Sequence, residues 1–239
     1  CVMMDSGEVR CWGSNAYGQL GDGTTTTRTP PVLVSGIASG TSAYDGGAGH
    51  GCAIVAGGLK CWGYNSDGQL GDGTLVDKLV PTDVSGATSG VSKVSAGYTH
   101  TCAVISGGAK CWGYNNLGFL GDGSVSRRTT PVDVQGLTSG LLDVFAGEYH
   151  SCALTSGGGV KCWGDDTYGQ LGNTDVSTSS TTPVDVLGLT SGVVAIGGAK
   201  RTTCAVLSTG AVKCWGEGGS GELGNNTSSS SFVPVDVSG

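Results

Sequence analysis

The sequence predicts an all-β repeat chain, on three observations. Cys-Trp-Gly recurs around Trp12, Trp62, Trp112, Trp163 and Trp215, at separations of 50, 50, 51 and 52 residues. A period this regular marks a repeat architecture. Ten cysteines fall into five pairs, one member of each beside a tryptophan. Short runs rich in Val and Thr are bounded by Gly, Pro, Asn and Asp, and no stretch keeps a 3.6-residue apolar period. Glycine is 46 of 239 residues. It follows no collagen triplet and recurs at fixed places, which reads as tight turns.

The units run over approximately residues 1–36, 37–86, 87–136, 137–188 and 189–239, within one domain spanning 1–239. Each has room for four short strands. In the third unit these are expected at Val91–Ser95, Cys102–Ile105, Ala109–Trp112 and Pro131–Val134. Four-stranded units at this period suggest propeller blades around a channel. The tryptophan of each unit would then be a packing wedge between sheets.

The second and third strands are joined by a turn. It is Ala56-Gly57 and Ser106-Gly107 in two units, and Asp5-Ser6-Gly7, Ser156-Gly157-Gly158 and Ser208-Thr209-Gly210 in the others. In the first and fifth units a three-residue loop with Gly last suits a type I turn closed by an αL glycine. Across these hairpins Cys1 would face Cys11, Cys52 would face Cys61, Cys102 would face Cys111, Cys152 would face Cys162, and Cys204 would face Cys214. Opposed antiparallel residues lie roughly 4.5–5.5 Å apart at Cα, inside disulfide range. The rival is metal, but zinc ligands come as C-x₂₋₄-C, and here eight or nine residues intervene. His50, His100 and His150 precede a cysteine by two, yet the fifth unit has Thr202 there. The pairs are therefore read as disulfides, with no metal and no cofactor expected. Disulfides persist in oxidising compartments, so an extracellular or cell-surface location is expected.

The fourth recurring part is a turn at Gly21–Thr24, Gly71–Thr74 and Gly121–Ser124, with Asn173 and Asn225 replacing its Asp in the last two units. A calcium loop needs further alternating oxygen ligands and a terminal acid. The turn is read instead as an Asp or Asn capping local amides.

These motifs together, His-x-Cys-Ala, Cys-Trp-Gly-x-Asn, Gly-Gln-Leu-Gly-Asp-Gly-Thr and Pro-Val-Asp-Val, resemble the regulator of chromosome condensation repeat, and the resemblance covers essentially the whole chain. It implies a β-propeller, typically of seven blades. The paired cysteines resemble the variant found in secreted and surface proteins of bacteria. About four and two-thirds units are present. The chain is thus expected to be an arc of a seven-bladed ring, ahead of a five-bladed ring with one incomplete blade or an open stack. An incomplete ring would expose strand edges, through which copies could self-assemble. The family's best-known member is a nucleotide-exchange factor for a small nuclear GTPase that also binds chromatin. That activity is not carried over, because the disulfides and the acidic charge do not match it.

Composition excludes several classes. The formal net charge is −7 and the 12 Lys and Arg are scattered, against the basic face of a nucleic-acid binder. No apolar run approaches the ~20 residues of a membrane helix, so no membrane insertion is expected. No signal peptide or initiator Met is present, which is read as a mature product or an excised piece. No phosphate loop or nucleophile elbow appears, and no enzyme is expected. The three histidines are read as structural, bonding backbone within the blade.

What differs between units points to binding, since repeated positions hold an array together. Divergent segments follow the Gly-Asp-Gly turn (Thr25–Thr29, Leu75–Val80, Val125–Thr130, Asp175–Thr182, Ser228–Val233), precede the His-x-Cys strand, and follow the tryptophan. From these, Tyr64, Tyr98, Tyr114, Glu148, Tyr149 and Tyr168 are the candidate partner-binding residues, because Tyr suits binding surfaces. Asn225 and Asn226 each begin an N-glycosylation pattern. The functions expected are a non-enzymatic protein-interaction module, a building block of a surface layer or filament, or a proteinaceous inhibitor of a secreted enzyme.

Overall fold

The computed structural model describes residues 1–174 and 178–238. Asp175, Val176 and Ser177, in the divergent segment after the fourth turn, and Gly239 lie outside the described residues. Blade one holds β1 (Val2–Met3), β2 (Val9–Gly13) and β3 (Arg28–Leu33). Blade two holds β4 (Thr41–Gly46), β5 (His50–Val55), β6 (Gly58–Gly63) and β7 (Lys78–Asp83). Blade three is β8 (Val91–Ala96), β9 (His100–Ile105), β10 (Gly108–Gly113) and β11 (Arg128–Asp133). Blade four is β12 (Leu141–Ala146), β13 (His150–Thr155), β14 (Val160–Asp165) and β15 (Ser179–Asp185). Blade five is β16 (Val193–Ala199), β17 (Thr202–Leu207), β18 (Val212–Gly216) and β19 (Ser231–Asp236). Each sheet pairs its strands in sequence order, all antiparallel; the first sheet has three strands and the others four. β4, β8, β12 and β16 pack one on the next and so line the channel.

The hairpin turns follow from local chemistry. Ala56-Gly57 and Ser106-Gly107 have φ of 49°, 79°, 52° and 80°. Two consecutive positive φ values give the type I′ turn, whose twist matches that of the strands. The turns set the cysteine register. Cys52 lies opposite Cys61, Cys102 opposite Cys111, Cys152 opposite Cys162 and Cys204 opposite Cys214. All four pairs are disulfide-bonded, and so are Cys1 and Cys11. The Cα–Cα separations are 4.0 Å for Cys1 and Cys11, 4.1 Å for Cys52 and Cys61, 4.1 Å for Cys102 and Cys111, 4.0 Å for Cys152 and Cys162, and 4.1 Å for Cys204 and Cys214. These values correct the expected 4.5–5.5 Å downward, because the pairs occupy the closer, non-hydrogen-bonded positions of the ladder. Every outermost strand carries a proline: Pro31, Pro81, Pro131, Pro183 and Pro234. A residue without an N–H interrupts a ladder, so the outer edges resist strand addition.

The apolar cores lie between blades. Cys102, Val104, Cys111 and Leu120 of blade three pack with Leu141, Val144 and Trp163 of blade four. Cys52 and Cys61 of blade two face Trp112 in the same way, and Cys152 and Cys162 of blade four face Trp215. The disulfides are thus part of the junction cores. Trp62, Trp112, Trp163 and Trp215 are fully buried. Each indole Nε1 donates to a carbonyl of the preceding blade: Gln19 at 3.1 Å, Gln69 at 2.9 Å, Phe119 at 2.8 Å and Gln170 at 2.9 Å. The wedge requires a close approach. A Cβ on Gly71 would stand 2.6 Å from Trp112 Nε1. Trp12 departs from the expectation. It is 46% exposed, because no sheet among the described residues precedes blade one to cover it.

The Gly-Asp-Gly-Thr turn is an internal clasp. Asn65 Oδ1 accepts from the Leu70 amide, while its Nδ2 donates to Asp72 Oδ1, Thr74 O and Val76 O at 3.1–3.2 Å. Asp72 Oδ1 in turn accepts from the Thr74 amide and hydroxyl. Burial alone would raise the Asp22, Asp72 and Asp122 carboxyls. The Thr or Ser bonds and Arg28, Lys78 and Arg128 outweigh it and hold all three below 3.8.

Candidate functional site

Strand alternation puts two sets of connections on one rim: the short loop before each His-x-Cys strand and the long loop after each tryptophan. The amides of Tyr64, Tyr114, Asp165 and Glu217 donate to the carbonyls of Gly49, Thr99, Tyr149 and Arg201, stitching the two sets together. The hairpin turns and inter-blade links form the other rim, as in Ala56 N to Gly40 O.

The rim rests on a repeated support. His50, His100 and His150 are buried, and their Nε2 atoms lie 2.8, 2.8 and 2.7 Å from the hydroxyls of Thr101, Ser151 and Thr203 in the next blade. Those hydroxyls donate to the carbonyls of Gln69, Phe119 and Gln170, which also accept the tryptophans. Because the hydroxyl proton is committed, the imidazole must be the donor, a neutral ring with hydrogen on Nε2. Burial pushes the three rings down to about 4, 3 and 3. This corrects the expectation of a bond to backbone within the blade: the reach of the ring carries it across the junction. In blade five, Thr202 bonds Glu217 O of its own blade.

Above this support the candidate residues separate into groups. The Tyr98 and Tyr149 rings are 6.4 Å apart, and Phe119 lies 5.6 Å from Tyr149 and 6.1 Å from Tyr114. The Arg201 guanidinium sits 5.4 Å from the Tyr149 ring and 5.1 Å from the Tyr168 ring, with Nε 3.4 Å from Glu148 Oε2. Tyr98, Tyr114, Glu148, Tyr149 and Tyr168 are thus joined into one cluster, Tyr114 through the fully buried Phe119 beneath it. Tyr64 stands apart, edge-to-face with Tyr17 at 4.8 Å. Phe119 and Arg201 escaped the sequence reading. The signal for Phe119 was its place in Gly-Phe-Leu-Gly, where three other units have Gln and the fifth has Glu222. Arg201 was visible as half of a Lys-Arg pair in the divergent segment Ala199–Thr202, with nothing local to tie it to two tyrosines.

At the channel mouth the rim encloses a cleft of about 500 Å³, lined by Asp45, Ser95, Tyr98, Phe145, Glu148 and Lys200 with the glycines around them. Asp45 Oδ2 and Ser95 Oγ accept the amides of Ala96 and Ala146 in the following blades. Among the described residues no group of three or more His, Cys, Asp or Glu is placed to hold a metal ion, and no helix is long and apolar enough to cross a membrane.

Blades latched by tryptophan and histidine, stapled by disulfides and crowned by a unit-specific rim define a β-propeller. Profiles of the Regulator of chromosome condensation (RCC1) repeat match residues 6–54, 57–104 and 107–154, and a second such profile matches 142–170. The chain belongs to the RCC1 repeat family. Human WBSCR16 superposes with a TM-score of 0.88 at 23% identity, over 100% of this chain and 64% of that one. Prp20p from Saccharomyces cerevisiae superposes at 0.83 and 19% identity, over 98% and 59%. Yeast RCC1 (Prp20) bound to Kap60 gives 0.81 and 18%, over 98% and 57%. The chain spans about three-fifths of these structures, and the likeness at such identities is one of fold. No curated protein sequence matches significantly.

Proposed function

We propose that the chain is a non-enzymatic interaction module that binds a protein through the tyrosine rim. One observation carries this reading: Tyr98, Tyr114, Glu148, Tyr149 and Tyr168, at positions that vary among the units, gather on one rim beside a cleft, while the residues common to the units are spent on latching blades. Tyr and Arg dominate binding hot spots, and a rigid scaffold lowers the ordering cost of binding. The fold relatives described with Kap60, or for binding Gsp1p and histones, are compatible with this class of role. The five disulfides support an extracellular or cell-surface setting, and the acidic charge disfavours nucleic acid. The test is affinity selection with wild type and with Tyr98→Ala/Tyr149→Ala, partners being identified by mass spectrometry. The rim reading expects a partner lost from the variant, and the same partners at the same yield would sink it.

Trp12 favours a second proposal, that another blade covers this face. The internal indoles all bond a carbonyl of a preceding blade, and Trp12 has no such blade among the described residues. In a seven-bladed ring that blade belongs to the same polypeptide; in a filament or layer it belongs to a second copy. Light scattering at rising concentration separates them, since a constant monomer mass contradicts assembly.

A further inference from the structure

Resting on the rim reading, the sign of the rim's charge narrows the partner. The loops of this rim, with the strand ends Asp45, Asp165, Arg28, Lys78 and Arg128, carry eleven carboxylates and six cationic side chains among the described residues. All other described residues carry seven and six. The formal charge is therefore about −5 on the rim and −1 elsewhere. A field so placed speeds and orients the approach of a cationic partner and repels an anionic one.

The rim already holds one guanidinium in the manner required. Arg201 lies between the Tyr149 and Tyr168 rings against Glu148, a cation–π and ion-pair seat filled from within. In the preceding units the residue equivalent to Arg201, directly before the His or Thr that opens the second strand, is Gly49, Thr99 or Tyr149. None brings a cation. Tyr17 is the equivalent of Tyr168 at the first junction and is 46% exposed. It meets Tyr64 edge-to-face, and Asp67 lies on the same loop as Tyr64, with the Arg127 guanidinium 3.9 Å from its Oδ1. Tyr98 is 50% exposed and shares the channel-mouth cleft with Asp45 and Glu148. Lys200 lines the same cleft and Arg201 already pairs with Glu148, so the cleft itself is close to neutral and the surrounding rim supplies the field.

We infer that the rim docks a lysine- or arginine-rich segment of a protein partner, one cationic side chain entering the channel mouth beside Tyr98 and a second meeting Tyr17 and Tyr64. The occupant is named by charge complementarity, and tyrosine faces reward a cation more than a neutral side chain.

The test is fluorescence anisotropy with three labelled dodecapeptides of one framework, bearing four Arg/Lys, four Gln or four Glu. The basic peptide is expected to bind at least tenfold more tightly than the Gln peptide and to weaken as salt rises from 20 to 150 mM, as screening requires (roughly an eightfold change in ionic strength). Tyr98→Ala with Asp45→Asn should lose about tenfold of that affinity, with thermal melting used to confirm folding. Tyr17→Ala with Asp67→Asn, at residues outside the cleft lining, serves as a second variant. Equal binding of the basic and Gln peptides overturns the inference. If both bind and both are lost in the Tyr98→Ala variants, the rim reading survives while the basic partner does not. Basic-peptide binding untouched by either pair of substitutions overturns both.

Discussion

His100 of blade three holds Ser151 of blade four, Nε2 to Oγ at 2.8 Å, and the Ser151 hydroxyl donates a hydrogen bond to Phe119 O of blade three at 2.9 Å. The hydroxyl thus closes a loop across the junction. The same arrangement joins His50 to Thr101 and His150 to Thr203. Three of the four junctions therefore depend on a neutral imidazole.

Acid should loosen these junctions. The three histidines sit near 4, 3 and 3 when folded and near 6.5 when unfolded. The folded state binds fewer protons between those values. The stability they contribute is full above about pH 6.5 and is lost as pH falls toward 4 and 3. At pH 5 the loss is about 2 kcal/mol per histidine. Urea denaturation from pH 7.5 to 4.5 should show this fall, and a flat profile would contradict the latch. His100→Gln should be less stable at pH 7 yet show a shallower acid slope.

Asp166 should act in the opposite sense. It replaces the clasp asparagine of the earlier units, it is fully buried, and its Oδ2 has no hydrogen-bond partner among the described residues. Burial raises its carboxyl to about 6, the Asp165 charge adding to this against the Leu171 amide. A folded value above the unfolded one means that stability declines as pH rises from about 4 to 6. Asp166→Asn should therefore stabilise by about 1–3 kcal/mol at pH 7, with the gain shrinking by about 1 kcal/mol at pH 5. Equal denaturation midpoints at pH 7 would contradict this.

The tryptophans should not be equivalent. Trp112→Phe removes the donor to Gln69 O and leaves packing, at about 1–2 kcal/mol. Trp112→Ala opens a cavity and should cost about 3–5 kcal/mol. Trp12→Phe should cost under about 0.5 kcal/mol, as for an exposed side chain. Thermal melting of the three variants gives the order.

The disulfides should open in sequence. Cys1 is exposed and Cys204 half-buried, whereas Cys52, Cys61, Cys102, Cys111, Cys152 and Cys162 of the three middle pairs are fully buried. Reduction requires access of the attacking thiolate. Stepwise reduction with differential alkylation should release Cys1–Cys11 first, then Cys204–Cys214, the middle three yielding only on unfolding. By the chain-entropy estimate each ten-residue loop contributes about 2.7 kcal/mol. Release of a middle pair first would be the contrary result.

Much of this was legible because the chain states its pattern five times. Trp112, Cys102 and Gly71 occupy positions whose spacing carries their meaning. The pairing of Cys61 with Cys52 and of Cys162 with Cys152 was legible too, since a short hairpin brings each mate opposite. Their burial inside the junction was not, because it depends on the tryptophan of the following blade. The partner of His100 was hidden for the same reason: it lies 51 residues away across a junction, and no local rule selects it. Trp12 matches its repeats in sequence but differs in surroundings. The rim's divergence was visible, but not that Arg201 would fill the gap between Tyr149 and Tyr168, because that depends on how two successive blades stack.

The central claim is that binding lies where the units differ and cohesion where they agree. It is tested most directly by titrating the partner recovered from affinity selection into Tyr98→Ala and, in parallel, into Val194→Ala, which alters an exposed β16 residue outside the rim. The account predicts that Tyr98→Ala weakens binding at least tenfold at an unchanged melting temperature, while Val194→Ala binds as wild type. Full affinity in Tyr98→Ala, or loss confined to Val194→Ala, would contradict it.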